Sequence, residues 1–570
     1  MTADTKCCIF VDDFMALYRS RQMRSIERQL QHGLNNLQQW ADRNGFKFSE
    51  AKTVCVHFCN SRKPHPDPVL TLNNKDIPVV KEVKFLGVIF DNKLSFVPHL
   101  KNLRTKCMKA LNVMRVVGHK DWGANFDLLM TLYRCLVRSK LDYGCIVYGS
   151  ARKSYIQMLD PVQNQALRIC LGAFRTSPVE SLQVEANEPP LYLRRQKLSA
   201  QFALQLCANK SNPTFKHTFN DKFIQKFTNK HTAIQPFGLH ITHLFQTANI
   251  DLDQIASNRT LPTPPWLIYK PNVILDLHNR TKSKTNVNIL KQDFLALKGS
   301  FCNCVELYTD GSKSNNRVSS ASICCGSISS QRLPDVASIF TAELAAVKLA
   351  LAMIQDQNPG RFLVLSDSLS SLLAIMNIRI DIPLVCEILE ECHKLFNTQK
   401  VVTFVWVPSH IGILGNEEAD KAAKAALNQS IAAMKFPFSD LKQNVTQHLK
   451  LKWQEHWSNQ AFNKLLPIKP ILGPNKYGNF TNRREQALLT RLRIGHTHFT
   501  HSWLLRRENN PVCVDCQSLL TVEHILISCP RHQMSRSKFF TNSSLHEILN
   551  FHLSNHVIPF LKEIGLFDRM

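Results

Sequence analysis

The chain has 570 residues, of which 70 are lysine or arginine and 44 aspartate or glutamate, a formal charge of +26. A content of 44% hydrophobic and 20% charged residues excludes a wholly disordered chain, and no run of about 18 uncharged apolar residues offers a membrane span. At roughly 100 to 200 residues per domain several cores are expected, and the positive excess makes nucleic acid the leading partner, because counterion release at phosphates supplies sequence-independent affinity.

The chain starts Met1-Thr2-Ala3-Asp4 and reaches Asp12-Asp13 where a signal peptide needs an apolar core. An intracellular protein with no membrane partner is therefore expected, nucleus or cytoplasm being left open. Most of the 18 cysteines are scattered singly, as Cys107, Cys135 and Cys207 are, and read as reduced thiols.

From Ile9 to about Phe96 the pattern is α+β: an apolar-acidic turn through Asp12-Asp13, then Ile26, Leu30, Leu34, Leu37 and Ala41 at helical spacing. The Pro-rich loop from Lys63 to Pro68 precedes a strand pair around Val79 to Ile89. From Lys101 to Asn209 the helical period dominates, and the first helix carries Lys101, Arg104, Lys106, Lys109 and Arg115. The stretch from Lys210 to Ser300 holds Thr263-Pro264-Pro265 and the basic polar run Asn279 to Lys284, and reads as a linker with some local structure. From Phe301 to about Asn428 strands and helices alternate as in a mixed α/β sheet. The remainder, to Met570, is helical and basic, interrupted by a cysteine cluster.

Acidic residues in the α/β stretch fall where chemistry collects. Val305, Leu307 and Thr309 alternate with Glu306, Tyr308 and Asp310, so Asp310 is expected to end a strand before a turn at Gly311-Ser312. Phe340, Leu344, Val347, Leu351 and Ile354 set a helical stripe with Glu343 beside it. Phe362 to Leu365 fit a buried central strand with Asp367 just beyond its end. After a strand from Val401 to Val407 and a loop from Pro408 to Gly415, Asn416 reads as an N-cap that places Asp420 in the first helical turn. Carboxylates brought together raise one another's pKa unless cations hold them ionised. Hard oxygen ligands suit two Mg²⁺ or Mn²⁺ ions, the equipment for hydrolysing a phosphodiester.

Four ordered segments now carry a specific resemblance: Tyr308-Thr309-Asp310-Gly311-Ser312, Thr341-Ala342-Glu343-Leu344, Ser366-Asp367-Ser368, and Ser409-His410 through Gly412, Gly415-Asn416-Glu417 to Ala419-Asp420. Together they resemble the motifs of type 1 ribonuclease H. The resemblance implies a mixed five-stranded sheet with helices on both faces. It also implies two metal ions bound by Asp310, Glu343, Asp367 and Asp420, and cutting of the RNA strand of an RNA–DNA hybrid to leave a 5′-phosphate. His410, with Gly412 and Gly415 as hinges, resembles the family's mobile histidine that assists proton transfer or product release. Asn416 is either a helix cap or a family position near the substrate. Ser312 and Ser368 are the candidates for contacting the substrate, whose 2′-hydroxyls and A-like shape would mark a hybrid.

Upstream, Phe10-Val11-Asp12-Asp13 resembles the aromatic-X-Asp-Asp turn of reverse transcriptases. Trp40 and Gly45 with Lys52-Thr53, then Lys84-Phe85-Leu86-Gly87-Val88 with Phe90-Asp91, resemble the late palm and primer-grip motifs of non-LTR retrotransposon polymerases. Leu132-Tyr133 and Arg138 through Gly144 are similar to the region that follows in insect-type elements. Only 11 residues precede Asp12, and a polymerase of this kind needs a further aspartate and a nucleotide-binding segment from earlier in the chain. No polymerase activity is therefore expected unless a partner chain supplies the missing palm.

Cys513-Val514-Asp515-Cys516, then His524 and Cys529, have the spacing of a tetrahedral Zn²⁺ site with three thiolates and one imidazole, a closed structural type. The surrounding Gly495-His496-Thr497 and Thr521 to Leu526 resemble the C-terminal knuckle region of the same retrotransposon class. His496 and His501 are more distant rival ligands. Arg483, Arg484, Arg491, Arg493, Arg506 and Arg507, with Trp503 among them, are either a phosphate grip or a solvated helix face.

The resulting expectation is the C-terminal portion of a jockey- or I-element-like polyprotein: a partial palm over 1–100, a helical thumb or connection over 101–209, a linker over 210–300, a ribonuclease H domain over 301–428, and a mostly helical basic region with one CCHC zinc knuckle over 429–570. The alternative is a nucleic-acid-binding remnant in which the fold persists and chemistry does not matter. The sequence carries no signal for oligomeric state.

Overall fold

The computed structural model describes residues 5–59, 61, 65–119, 121–219, 227, 235–258, 261, 264, 266–280, 285–301, 303–475, 482–540, 544–550 and 554–570. Lys63, Pro64, Thr263, Pro265 and the run Thr281 to Lys284 lie outside them. The chain divides into two compact units, one of Met1–Arg195 with Trp453–Met570 and one of Gln196–Lys452. Among the described residues no helix is long and apolar enough to cross a membrane.

In the first unit, β1 (Lys6–Phe10) and β2 (Asp13–Leu17) form an antiparallel hairpin in which Phe10 faces Asp13. The helix Met23–Asn44 turns Leu30 and Leu34 onto Leu70, Leu72 and Ile77. It stops at Gly45, whose left-handed φ of 71° lets its N–H reach the carbonyl of Ala41. β3 (Thr71–Leu72) and β4 (Lys75–Asp76) turn through Asn73 and Asn74, both at positive φ, as a two-residue hairpin requires.

β5 (Glu82–Phe85) and β6 (Val88–Asp91) turn the same way through Leu86 and Gly87. The Tyr143 hydroxyl donates to the Leu86 carbonyl at 2.6 Å, and its ring lies 3.0 Å from where a Cβ on Gly87 would stand. Asp91 ends this hairpin by accepting the amides of Phe96 at 2.7 Å and Ser95 at 3.1 Å, which fixes the start of the helix Val97–Val117. Two of the retrotransposon-like segments thus meet each other, and their glycine and aspartate serve local geometry.

The second unit holds a six-stranded sheet in the order β10-β9-β8-β11-β12-β7. Its strands are β7 (Asn272–Ile274), β8 (Cys304–Ser314), β9 (Arg317–Cys324), β10 (Ser327–Leu333), β11 (Gly360–Ser366) and β12 (Lys400–Trp406). β8, β9 and β10 are antiparallel neighbours, whereas β11 runs parallel to both β8 and β12.

Alternation along β8 divides the core. Leu307 packs with Leu344, Phe362, Val364 and Phe404 on one face, and Tyr308 packs with Leu363, Leu365, Val405 and Ala419 on the other. Helices therefore cover both faces, as a sheet with apolar residues on both sides requires.

The expected five strands become six because β7 pairs in parallel with β12, Asn272 opposite Thr403. Three residues are too few to show an alternation. The stretch 210–300, read as a linker with some local structure, also contributes the helix Val287–Gly299, whose Leu290 and Phe294 are buried in the Tyr308 core. Asp310 does not end its strand either, since β8 continues to Ser314 with Asp310 paired to Ala321 and Gly311 to Ser320.

Candidate active site and metal centres

Gly311 shows why the strand runs on. A Cβ there would stand 2.7 Å from the backbone nitrogen of Glu343 and 3.0 Å from Ala342. The glycine is therefore a point of close approach between β8 and the helix Ile339–Gln355, not a turn. The contact sets Glu343 beside Asp310. The helix start is held by Ser338, whose hydroxyl accepts the Thr341 amide at 3.1 Å. Asp440 braces the same turn, accepting from Thr341 Oγ1 at 2.7 Å and from the Ser338 amide at 3.1 Å.

Asp367 lies one residue past the end of β11, the strand next to β8. Trp406 Nε1 donates to its carbonyl at 3.0 Å and Asn416 Nδ2 to its Oδ2 at 3.5 Å. Carboxylate oxygens of Asp310, Glu343 and Asp367 fall within 4.8 Å of one another. Asp310 and Glu343 are only 7% and 8% exposed, and among the described residues no lysine or arginine is hydrogen-bonded to any of the three.

The electrostatics follow from that placement. Burial, then the charges of Asp367 and Asp420, push Asp310 up to about 7 against the pull of Lys424. Burial, then Asp310 and Asp367, hold Glu343 well above the usual carboxylate range. Asp367 is raised by burial, with the Asn416 hydrogen bond and His410 opposing. Glu343 Oε2 and Asn416 Oδ1 are buried and accept no hydrogen bond among the described residues. Three mutually repelling carboxylates with a spare buried oxygen suit a hard divalent cation, which supplies the missing positive charge.

Asp420 sits apart from this trio, although its charge reaches Asp310 and Asp367. The helix Leu414–Ala426 starts two residues before Asn416, so Asn416 is an inward-facing residue of the first turn rather than its cap, and Asp420 belongs to the second turn. A Cβ on Gly415 would stand 2.3 Å from the Tyr308 ring, so that glycine packs the helix onto the sheet and is no hinge. Ser319 Oγ fastens the same helix by donating to the Ala423 carbonyl at 2.5 Å.

Asp420 pairs with Lys424 at 2.7 Å and groups with His410 and Glu417, ligand atoms of these three lying within 4.8 Å of one another. His410 is exposed, at a φ of 49° and two residues before Gly412 at 79°. Glu417, quoted in the fourth segment, carries no ligand signal of its own in the sequence, because an acidic residue in a first helical turn is adequately explained by the helix dipole. Of the two serines singled out, Ser312 is buried on β8 beside the cluster, and Ser368 shares a 2.8 Å hydrogen bond with Ser371.

In the other unit, ligand atoms of Cys513, Cys516, His524 and Cys529 also lie within 4.8 Å of one another. Cys513 and Cys529 sulfurs are 3.9 Å apart, and Cys516 Sγ is 3.2 Å from His524 Nε2. Hydrogen bonding to His524, then to the Cys516 amide, lowers the Cys513 thiol to about 6. The spacing read from the sequence therefore does converge, and the donor set suits Zn²⁺.

His496 and His501 are elsewhere occupied. They stack on each other at 3.8 Å, His496 Nδ1 sits 2.9 Å from Thr176 Oγ1, and His501 Nε2 sits 2.9 Å from Lys464 Nζ. Burial lowers them to about 3 and about 4.

The arginines divide. Arg483 donates to the carbonyls of Ile169 and Cys170, Arg491 to that of Gly172, and Arg493 to Glu185 at 2.7 Å. These three are fastenings of the fold. Arg506 and Arg507 remain exposed, Arg506 lying 3.8 Å from Glu508. Asp12 and Asp13 are exposed at the tip of the β1–β2 hairpin, and among the described residues neither joins a metal-type cluster.

Residues 303–428 match the RNase H family, so strands β8 to β12 and the carboxylates lie in an RNase H domain, with β7 outside the matched residues. Over 182 residues the chain is 27% identical to a retrovirus-related Pol polyprotein from a type-1 retrotransposable element R1 of Nasonia vitripennis, covering 31% of this chain and 54% of that protein. It is 25% identical over 207 residues to the RNA-directed DNA polymerase from mobile element jockey of Drosophila melanogaster, covering 36% of this chain and 22% of that one. The probable RNA-directed DNA polymerase from transposon X-element of the same fly is 26% identical over 163 residues, or 29% of this chain and 18% of that one. The chain spans about half or less of the length of these relatives, and its homologues are non-LTR retrotransposon Pol proteins.

Proposed function

We propose that the RNase H domain hydrolyses the RNA strand of RNA–DNA hybrids in a metal-dependent reaction. The observation that carries this is the convergence of the buried Asp310 and Glu343 with the half-buried Asp367, none of which forms an ion pair with a lysine or arginine among the described residues. Asp310, Glu343, Asp367 and Asp420 would hold two Mg²⁺ or Mn²⁺ ions, which supply an activated water and stabilise the leaving oxygen. Glu343 offers its unpartnered Oε2 for this purpose, and Asn416 keeps Asp367 turned toward the cluster.

His410, exposed at the rim beside Glu417 and Asp420, offers an imidazole nitrogen to protonate the departing 3′-oxygen. Ser312, on the strand that carries Asp310, is the serine we assign to a substrate hydrogen bond. The net charge of +26 adds affinity for the hybrid and for other nucleic acid, and such a substrate belongs inside a cell.

The test uses the full chain, a labelled RNA–DNA hybrid and Mg²⁺, with the parent compared with Asp367→Asn. Cleavage of the RNA strand by the parent, lost in the variant, is expected. Equal cleavage by both contradicts the assignment, and binding without cleavage by either favours a nucleic-acid-binding remnant.

The Cys513, Cys516, His524 and Cys529 cluster would hold one structural Zn²⁺, a closed four-ligand site. For the Asp12-Asp13 hairpin, exposed at its tip, our reading is that this chain alone does not extend a primer. A partner chain contributing the rest of a palm is the condition under which extension of a primer would be seen.

A further inference from the structure

The first unit holds a second convergence of soft and borderline ligands, remote in sequence from the cysteine knuckle. Ligand atoms of His57, Cys59 and His65 lie within 4.8 Å of one another. The imidazole rings of His57 and His65 are 4.6 Å apart between centroids and inclined at 60°. His57 Nδ1 is 3.1 Å from Asp67 Oδ1. With Nδ1–H donating to that carboxylate, the neutral ring presents Nε2 as its free lone pair. This carboxylate-histidine arrangement is the one that orients zinc-binding imidazoles and raises their basicity.

The backbone is fixed where the ligands leave it. Cys55 N–H donates to the Pro78 carbonyl at 3.0 Å, Val80 N–H returns to the Cys55 carbonyl at 2.9 Å, and Cys59 N–H donates to the Asn92 carbonyl at 3.1 Å. The Ser61 amide donates to Cys59 Sγ at 3.3 Å, the kind of bond a metal-bound thiolate accepts. Pro66 and Pro68 restrict the chain on either side of Asp67.

We propose that His57, Cys59 and His65 bind a zinc ion, with Asp67 orienting His57. Two imidazoles and a thiolate are a donor set of borderline softness that prefers Zn²⁺ to Mg²⁺. Binding transfers the Cys59 thiol proton to solvent and forms a sulfur–metal bond. Its structural effect is to tie His57 and Cys59 to His65.

The test is zinc content of the full-length chain, purified in the presence of Zn²⁺ and dialysed against millimolar Mg²⁺ so that carboxylate sites carry the harder ion. Compared with the parent, Cys59→Ser and His65→Ala are each expected to lose about one equivalent of zinc with unchanged far-ultraviolet circular dichroism. His65 is exposed, so its truncation spares the core. Asp67→Asn keeps every ligand and is expected to weaken zinc affinity about 10- to 100-fold in a chelator competition. Loading with Co²⁺ should show thiolate-to-metal absorption that Cys59→Ser diminishes. Parent-like zinc content in both ligand variants, or a cobalt spectrum indifferent to Cys59→Ser, overturns the site.

Discussion

Two groups of buried charge in this protein are built on opposite terms. In the helical unit Glu185 and Arg493 are 0% and 4% exposed at the side chain and meet at 2.7 Å. Burial alone would raise the Glu185 carboxyl, yet Arg493 and Lys469 outweigh it and hold the group below the ordinary range. Arg493 spends a further N–H on the Leu549 carbonyl at 2.6 Å, and Lys469 on the Val184 carbonyl at 2.8 Å. In the RNase H domain Asp310, Glu343 and Asp367 are gathered with charges of one sign, and their carboxyls are raised. Charges buried with partners fasten a fold; charges gathered against one another are, on the function proposed above, a place for an ion.

Removing one member from each group should therefore move stability in opposite directions. Arg493→Met removes the cation that meets the buried Glu185 carboxylate and is expected to cost about 3–5 kcal/mol, read as a lower denaturation midpoint of the transition that includes the helical unit. A cost under about 1 kcal/mol would show that the pair is not a fastening.

Asp310→Asn should do the reverse in the metal-free protein. The folded value of about 7 lies above the ordinary carboxylate value, so between about pH 4 and pH 7 the native state binds more protons than the unfolded one and stability falls as pH rises. Above pH 7 the variant, which has no charge to confine, is expected to be more stable than the parent by roughly 1–3 kcal/mol. The gain should fade as pH drops toward 4. Thermal unfolding in a chelator at pH 8 and pH 5 checks both the sign and the window. Added Mg²⁺ should stabilise the parent and leave the variant nearly unmoved.

Lys424→Ala gives the smallest effect. Its ion pair with Asp420 is solvent-facing, the lysine side chain being 60% exposed, and surface pairs contribute about 0.2–1 kcal/mol. The same lysine lowers Asp310, so its loss should shift the protonation of Asp310 upward, visible as a higher pH midpoint for Mg²⁺ binding. A stability loss above about 1 kcal/mol would mean that Lys424 does more than screen the cluster.

Residue periodicity made the strands and the apolar helix stripe of the RNase H domain legible, because their alternation and three-to-four spacing report buried faces directly. It also brought Asp310, Glu343 and Asp367 into view as residues at the margins of those faces. Glycine was misleading, since Gly311 and Gly415 carry the same sequence signal whether they permit a turn or a close approach. Only the positions of Glu343 and Tyr308 decide between the two.

The polar groups were less readable for a related reason. Asn416 resembles a cap in sequence, but its role follows from the helix starting earlier, at Leu414, and from Asp367 standing opposite. The arginines of the helix Arg483–Ile494 looked like a basic face, whereas Arg483, Arg491 and Arg493 point at carbonyls and a carboxylate hundreds of residues away in sequence. Local pattern cannot register a partner at that separation.

The most direct test of the central claim is calorimetric titration of the full chain with Mg²⁺ near pH 7, repeated in buffers of different ionisation enthalpy. If the trio is an ion site held partly protonated by burial and then by mutual repulsion, Mg²⁺ binds with release of protons, and Asp310→Asn abolishes both the heat and the release. Binding of Mg²⁺ that the variant leaves unchanged, or no binding by the parent, would contradict the account.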